Sequence, residues 1–363
     1  MNAPMRNAVF AALLCLFAVA LPAQQTCPMP ESMKARFAAT PDADTFADLG
    51  IALANQRLYD CAVLAFANSL RLKSDSANVL FMYGTSLFLS GHAQDALIPL
   101  QASEVIDVRN LKLHLILAAV FDQLQRNAEA ETEWRAAVEA DPLSTDAVDG
   151  LSQELVLEQK YQAAIDLLTD PLSARQRTAL QSLNLGAAYA GAGQVAAAVS
   201  ALRDGLNTTP DSLALANQLA DLLAQAGRID EADAAYTMAL QRHPADIDTA
   251  LNRFRMLMSA SPDRAKTVGQ DLLRNDPQNW EVLYLNGVLE AQNGDMAAAR
   301  QHLEGAIAEN DGFALAHSLL GVVLARLRDF AGAQTQLERA IVLGDTSQEV
   351  QDNLARVREA QQP

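Results

Sequence analysis

Aromatic side chains are scarce in this chain: 5% of its 363 residues are Phe, Trp or Tyr, although 50% are hydrophobic. Alanine fills much of the difference. It is the strongest helix former and permits close backbone approach. Alternating apolar–polar runs of strand length are missing, which leaves an all-α chain. Basic residues are also few: 27 Lys and Arg face 44 Asp and Glu, a formal charge of -17. A nucleic-acid binder needs a basic face to neutralise phosphates, so nucleic acid is excluded as a partner. The negative surface also disfavours an anionic membrane and suits an elongated soluble protein. The five histidines (His92, His114, His243, His302 and His317) show no HExxH and no pairing at metal-ligand spacing. Each is read as a surface or hydrogen-bonded side chain. No CxxC occurs, which argues against zinc. The "GAGQ" at 191–194 lacks both the preceding strand and the GK[ST] ending of a phosphate loop. Asp146 and Asp149 sit at an acidic helix start, where carboxylates favour the dipole. The chain is therefore expected to be no enzyme and to need no cofactor, metal or small-molecule substrate.

Long apolar runs are missing too, with one exception. Residues 1–25, "MNAPMRNAVFAALLCLFAVALPAQQ", carry Arg6, then an apolar stretch from Ala8 to Leu21, then small residues at Ala18, Ala20 and Ala23. That order is the order of a secretory signal, and the stretch is shorter than the ~20 residues that span a bilayer. Cleavage after Ala23 or Ala20 is expected, with export to the periplasm or beyond. An uncleaved anchor is the alternative and the one route to a membrane partner. Cysteine numbers 3. Cys15 leaves with the signal. Cys27 and Cys61 remain as an even pair in an oxidising compartment, either bridged across a loop or left as two free thiols.

What the chain does have is a repeat. Ala62, Ala96, Ala130, Ala164, Ala198, Ala232, Ala265, Ala299 and Ala333 recur every 34 residues, with one step of 33 before Ala265. A second small residue precedes most of them by 12: Gly50, Gly84, Ala118, Ser152, Gly186, Ala220, Gly287 and Gly321. A large residue follows by four: Phe66, Leu100, Trp134, Leu168, Leu202, Tyr236, Leu303 and Leu337. Pro142, Pro210, Pro244 and Pro277 close several units. Such a period specifies two antiparallel helices, A and B, per unit. Gly186 costs about 1 kcal/mol against alanine in a helix, an expense expected to be offset by close packing on Ala198, with Gly191 and Gly193 serving the turn. Two units depart: Pro171 should stop a B helix at Asp170, and Phe254 occupies a small-residue slot, so it should splay its hairpin or be absorbed by a shift.

This pattern resembles the tetratricopeptide repeat family. The resemblance covers nine units over 43–347, preceded by a signal at 1–23 and an N-terminal segment at 24–42, and followed by a capping helix at 348–363. It implies a right-handed superhelical solenoid whose A helices line a concave groove for a protein or peptide segment. Carried over position by position, groove residues are Phe81, Thr85 and Phe88; Lys112, Leu115 and Ala119; Asp146, Asp149 and Gln153; Leu183 and Ala187. They continue with Asn217 and Asp221; Asp248, Leu251 and Arg255; Glu281, Tyr284 and Val288; and Ser318, Val322 and Arg326. The Lys/Asn constellation that clamps a peptide C-terminus in some members is missing. The expected function is an exported interaction scaffold, in envelope assembly, secretion or polymer export. The alternative is a self-assembling repeat array, which the polar final helix opposes.

Overall fold

The computed structural model describes residues 27–171 and 177–362, and the signal-like segment lies outside them. Among the described residues there are twenty helices. The first, α1 (Glu31–Ala38), precedes the repeats. The pairs that follow are α2 (Ala43–Asn55) with α3 (Tyr59–Leu72), α4 (Ala77–Leu89) with α5 (Ala93–Ile106), and α6 (Leu111–Gln123) with α7 (Asn127–Ala140). Next come α8 (Thr145–Leu157) with α9 (Tyr161–Thr169), and α10 (Ala179–Gly191) with α11 (Val195–Thr208). Then come α12 (Leu213–Gln225) with α13 (Ile229–Arg242), and α14 (Ile247–Ala260) with α15 (Pro262–Asn275). The last pairs are α16 (Trp280–Gln292) with α17 (Met296–Glu309) and α18 (Ala314–Arg326) with α19 (Phe330–Val342); α20 (Gln348–Ala360) ends the array. The helices divide into two compact units, Met1–Gly205 and Leu206–Pro363.

Each helix boundary has a local cause that recurs with the repeat. A helices start behind Asp42, Ser76, Asn110, Ser144, Thr178, Ser212, Asp246 or Asn279, whose side chains accept a backbone N–H of the first turn. Such caps satisfy one of the four orphan donors at a helix start. A helices end on a residue in the left-handed region: Arg57, Gly91, Gln125, Gln159, Gly193, Gly227, Gly294 and Arg328. These too fall on the repeat's stride. Four are glycine; the other four keep a Cβ in a conformation costing about 1–2 kcal/mol. Gln125→Gly and Gln159→Gly should therefore each stabilise the protein by about 1 kcal/mol, read as a higher urea midpoint at unchanged slope. Helix α9 ends at Thr169 with Asp170 as its C-cap, just before Pro171.

The cores of both units run along the helix pairs. All nine recurring alanines are fully buried. The small A-helix residue packs against the large B-helix residue as well as the alanine, whose carbonyl lies 3.2–3.4 Å from a Cβ built on Gly84, Gly287 or Gly321. A Cβ built on Gly186 would lie 2.6 Å from Leu202 Cδ2, and the nearest side chains to Gly50, Gly84, Gly287 and Gly321 are Phe66, Leu100, Leu303 and Leu337. A side chain of Leu size fills the hole left by each glycine, which is how close packing offsets the helical cost. At Gly186 the nearest atoms all belong to Leu202, a contact that the expected packing on Ala198 did not include. Gly191 is likewise no turn residue: it ends α10, and a Cβ there would meet the Tyr161 ring at 2.4 Å.

The hairpin of α14 and α15 is looser than the other A–B pairs of the C-terminal unit, as a splayed one would be, and Phe254 lies inside its core. It is completely buried, and the residue opposite it is Gly269, where a Cβ would lie 2.7 Å from Phe254 Cζ. Large and small have exchanged helices. Seven residues after Ala62 and Ala96, a small residue adds a tie within its repeat: Ser69 and Ser103 hydroxyls donate to the Ala43 and Ala77 carbonyls at 2.7 and 2.9 Å. At the N-terminal end Cys27 is bonded to Cys61. At the other end α20 buries Val350, Leu354 and Val357 and turns Gln351, Asp352, Arg356 and Glu359 to water.

Candidate functional site

Three helices of the C-terminal unit that occupy successive A positions, α16, α18 and α20, border a cleft of about 680 Å³. Its apolar surface comes from Tyr284 and Val288 on α16 and from Leu315, Leu319 and Val322 on α18. These positions are spaced three and four apart, so they share a helix face. Polar groups stand around them: Gln292, Ser318, Arg326, Asp345, Glu349 and Asn353. Leu315 is half exposed, at 51%, an apolar side chain left open beside a concave surface. Among the described residues Arg326 has no ion pair, whereas Asp345 is engaged. The Ser318 hydroxyl donates to Asp345, as does the Ser347 hydroxyl at 2.7 Å, and those bonds hold the Asp345 carboxyl below its ordinary range. Ser318 is thereby anchored. Burial raises the Tyr284 phenol, so it stays neutral at physiological pH.

One cleft side chain explains an irregularity in the caps. Phe313 occupies the slot where the other A helices carry a capping side chain, and it makes no cap hydrogen bond. Its ring instead packs 4.8 Å from Trp280 and edge-on to Tyr284 at 4.9 Å. A cap is worth about 1 kcal/mol; here it is exchanged for an aromatic cluster that fixes the Tyr284 ring in the cleft wall. The missing Ser, Thr, Asp or Asn at 313 was readable in the sequence as a break in the repeat, but its consequence was not.

A second, more polar hollow of about 490 Å³ collects Asp221, Tyr236, Asn252, Arg255 and Met256. The Tyr236 hydroxyl donates to Asp221, and burial followed by that bond pushes the phenol above its usual value. Arg255 reaches Asn252 at 3.3 Å and lies 4.0 Å from Glu281. Outside the hollow, Asp233 accepts from Arg253 at 2.6 Å and from Arg264 at 2.5 Å. Burial alone would raise that carboxyl, but the two guanidinium bonds outweigh it and the net shift is downward.

The groove positions carried over from the family resemblance thus fall into groups. Tyr284, Val288, Ser318, Val322 and Arg326 meet in the larger cleft, and Asp221 and Arg255 in the smaller hollow. Asn217 accepts from the Thr249 hydroxyl at 2.9 Å, and Asp149 accepts from Gln181 at 2.6 Å and Thr178 at 3.2 Å. Both therefore tie one repeat to the next. Leu251 is a core residue, 1% exposed. In the N-terminal unit Phe81 and Phe88 are half-buried against the core. Leu115 and Leu183 are half-buried as well, and Lys112 and Gln153 are exposed.

Solved structures resemble the chain at low identity. Yeast Tom70 is 13% identical, covering 98% of this chain and 86% of its own with a TM-score of 0.45. PilF of Pseudomonas aeruginosa is 21% identical, covering 57% and 94% with a TM-score of 0.42. PilW, described as a widely conserved type IV pilus biogenesis factor, is 20% identical, covering 57% and 96% with a TM-score of 0.44. No curated protein sequence matches. A family model described as tetratricopeptide repeat matches residues 183–247 and 260–314. The helix pairs on either side keep the same stride, buried alanine and turn position as those inside the matched segments. One kind of unit therefore builds the described array, and within it residues 183–247 and 260–314 match the tetratricopeptide repeat, a family of protein-interaction modules.

Proposed function

We propose that the protein is an exported scaffold that holds a peptide or protein segment in the cleft between α16, α18 and α20. The observation that carries this reading is the cleft itself: apolar side chains of successive A helices, a half-exposed Leu315 and an unpaired Arg326 on one concave surface. Exposed apolar surface of this kind marks interaction sites. An extended segment with one or two apolar side chains and a carboxylate within reach of Arg326 matches its chemistry. Export is supported by the signal-like residues 1–23 and by a disulfide, which persists in oxidising compartments. In a bacterium the setting is the periplasm, in envelope assembly, secretion or polymer export.

Capture from native extract tests the site. Leu315→Asp with Arg326→Glu alters two exposed positions, so folding should be kept while bound proteins fall by about tenfold, the cost of about 1.4 kcal/mol. An unchanged bound set removes the cleft from the proposal. N-terminal sequencing of the mature protein should begin at Leu21 or Gln24; a start at Met1 removes cleavage.

A further inference from the structure

We propose that Glu104, His114 and Glu133 form a binding site for a first-row divalent cation, with Zn²⁺ as its reference ligand. The three side chains come from successive helices: the last turn of α5, the first turn of α6 and the middle of α7. Their donor atoms all lie within 4.8 Å of one another. His114 is 4% exposed. Its Nε2 lies 3.2 Å from the Val108 carbonyl, which needs a proton on Nε2. Nδ1 then faces Glu133 Oε2 at 2.8 Å and Glu104 Oε1 at 4.0 Å. A backbone carbonyl fixing one ring nitrogen while the other faces anionic ligands is the arrangement that orients a metal-bound imidazole.

Charge makes the same point. With a neutral imidazole, two carboxylates face its lone pair. With an imidazolium, one of the two negative charges still stands unbalanced. Among the described residues neither Glu104 nor Glu133 pairs with a lysine or arginine, and Glu104 has no hydrogen-bond partner. A divalent cation held by one nitrogen and two carboxylates would balance the cluster and leave positions for water. That donor set suits Zn²⁺ and its neighbours in the first row rather than Ca²⁺, which takes six to eight oxygens.

The chain carries its own control. His317 holds the same repeat position, with Nε2 3.0 Å from the Asp311 carbonyl and Nδ1 2.7 Å from Gln336 Oε1. Where α7 has Glu133, α19 has Gln336; where α5 has Glu104, α17 has Ile307. At Nδ1 the repeat therefore accommodates this histidine with an amide and an alkyl side chain, while the exposed Asp311 carboxylate stands 3.5 Å from Nε2. Both carboxylates facing His114 Nδ1 exceed what the hairpin needs on that side of the ring.

Zn²⁺ titration of the full, untagged chain by calorimetry tests the site. Wild type should bind about one equivalent through this cluster. Glu133→Gln and Glu104→Ile, each with a precedent in the last repeat, should keep the fold by circular dichroism and weaken Zn²⁺ binding by about tenfold or more. His317→Gln should leave it unchanged. Absence of Zn²⁺ binding by wild type overturns the proposal, because a shared proton then suffices. So does equal binding by wild type and both glutamate variants, which would move the ion elsewhere, for example to His302 and Glu290.

Discussion

Phe254→Gly should be among the most damaging single substitutions in the C-terminal unit, and Gly269→Leu should partly reverse it. Phe254 is fully buried, and truncating a buried phenylalanine costs about 3–5 kcal/mol, with about 1 kcal/mol more for glycine in a helix. Gly269→Leu alone should also destabilise. Even its Cβ would stand 2.7 Å from Phe254 Cζ and 2.4 Å from Asn286 Oδ1, closer than real contacts allow, and such overpacking costs about 1–3 kcal/mol. Together the two changes restore the Gly-against-Leu order of the Gly84–Leu100, Gly186–Leu202, Gly287–Leu303 and Gly321–Leu337 pairs. The double variant should be more stable than the sum of the singles requires, by about 2 kcal/mol. Rescue should be incomplete because Asn286 still crowds position 269. Urea denaturation followed through Trp280, on the helix packed next to this hairpin, gives the cycle. Additive losses would show that the two sites do not share one space.

That exchange marks where the sequence stopped being legible. The stride of buried alanines, the paired helices, the end of α9 at Thr169 and the left-handed turns at Gly91, Gly193, Gly227 and Gly294 all follow from local chemistry. Each needs only the residue type and its place in the repeat. Phe254 looked anomalous because its own slot was considered without the residue opposite. The absence of a large residue four after Ala265, with Gly269 in its place, was visible in the same alignment. Partner identity across a hairpin is a tertiary fact: the stride pairs the A-helix glycine with the alanine 12 residues on, and the structure adds the large residue 16 on as its nearest side chain. The candidate cleft was legible at Tyr284, Val288, Ser318, Val322 and Arg326, positions that the family resemblance implied. Asp149 and Asn217 sit at comparable positions, yet their oxygens accept from the following repeat. Periodicity assigns a face; it does not say whether a polar atom on that face is already used.

Removing the disulfide should have the largest effect in the N-terminal unit. Cys27 and Cys61 are 34 residues apart, and closing a loop of that length removes about 4 kcal/mol of unfolded-state entropy in the chain-entropy model. The native side of the balance also depends on it. Helix α1 has eight residues and buries Met33 alone, far short of the ~12–15 residues at which an isolated helix becomes even marginal in water. Beyond the bridge it is held by the Phe37 ring edge-on to Phe46 at 5.2 Å and by the exposed Arg36–Asp48 ion pair. An exposed pair contributes at most about 1 kcal/mol. Cys27→Ser with Cys61→Ser should therefore lower stability by about 4 kcal/mol and release α1. Amide exchange should rise first in α1 and then in α2 and α3, whose core residues Met33 covers. A repeat array transmits such a loss mainly to its neighbours, so protection in α16–α20 should not change. Reductant should reproduce the effect in wild type and leave the double variant untouched. Equal stability of the two proteins would mean that packing by Met33 and Phe37 alone secures the N-terminal end.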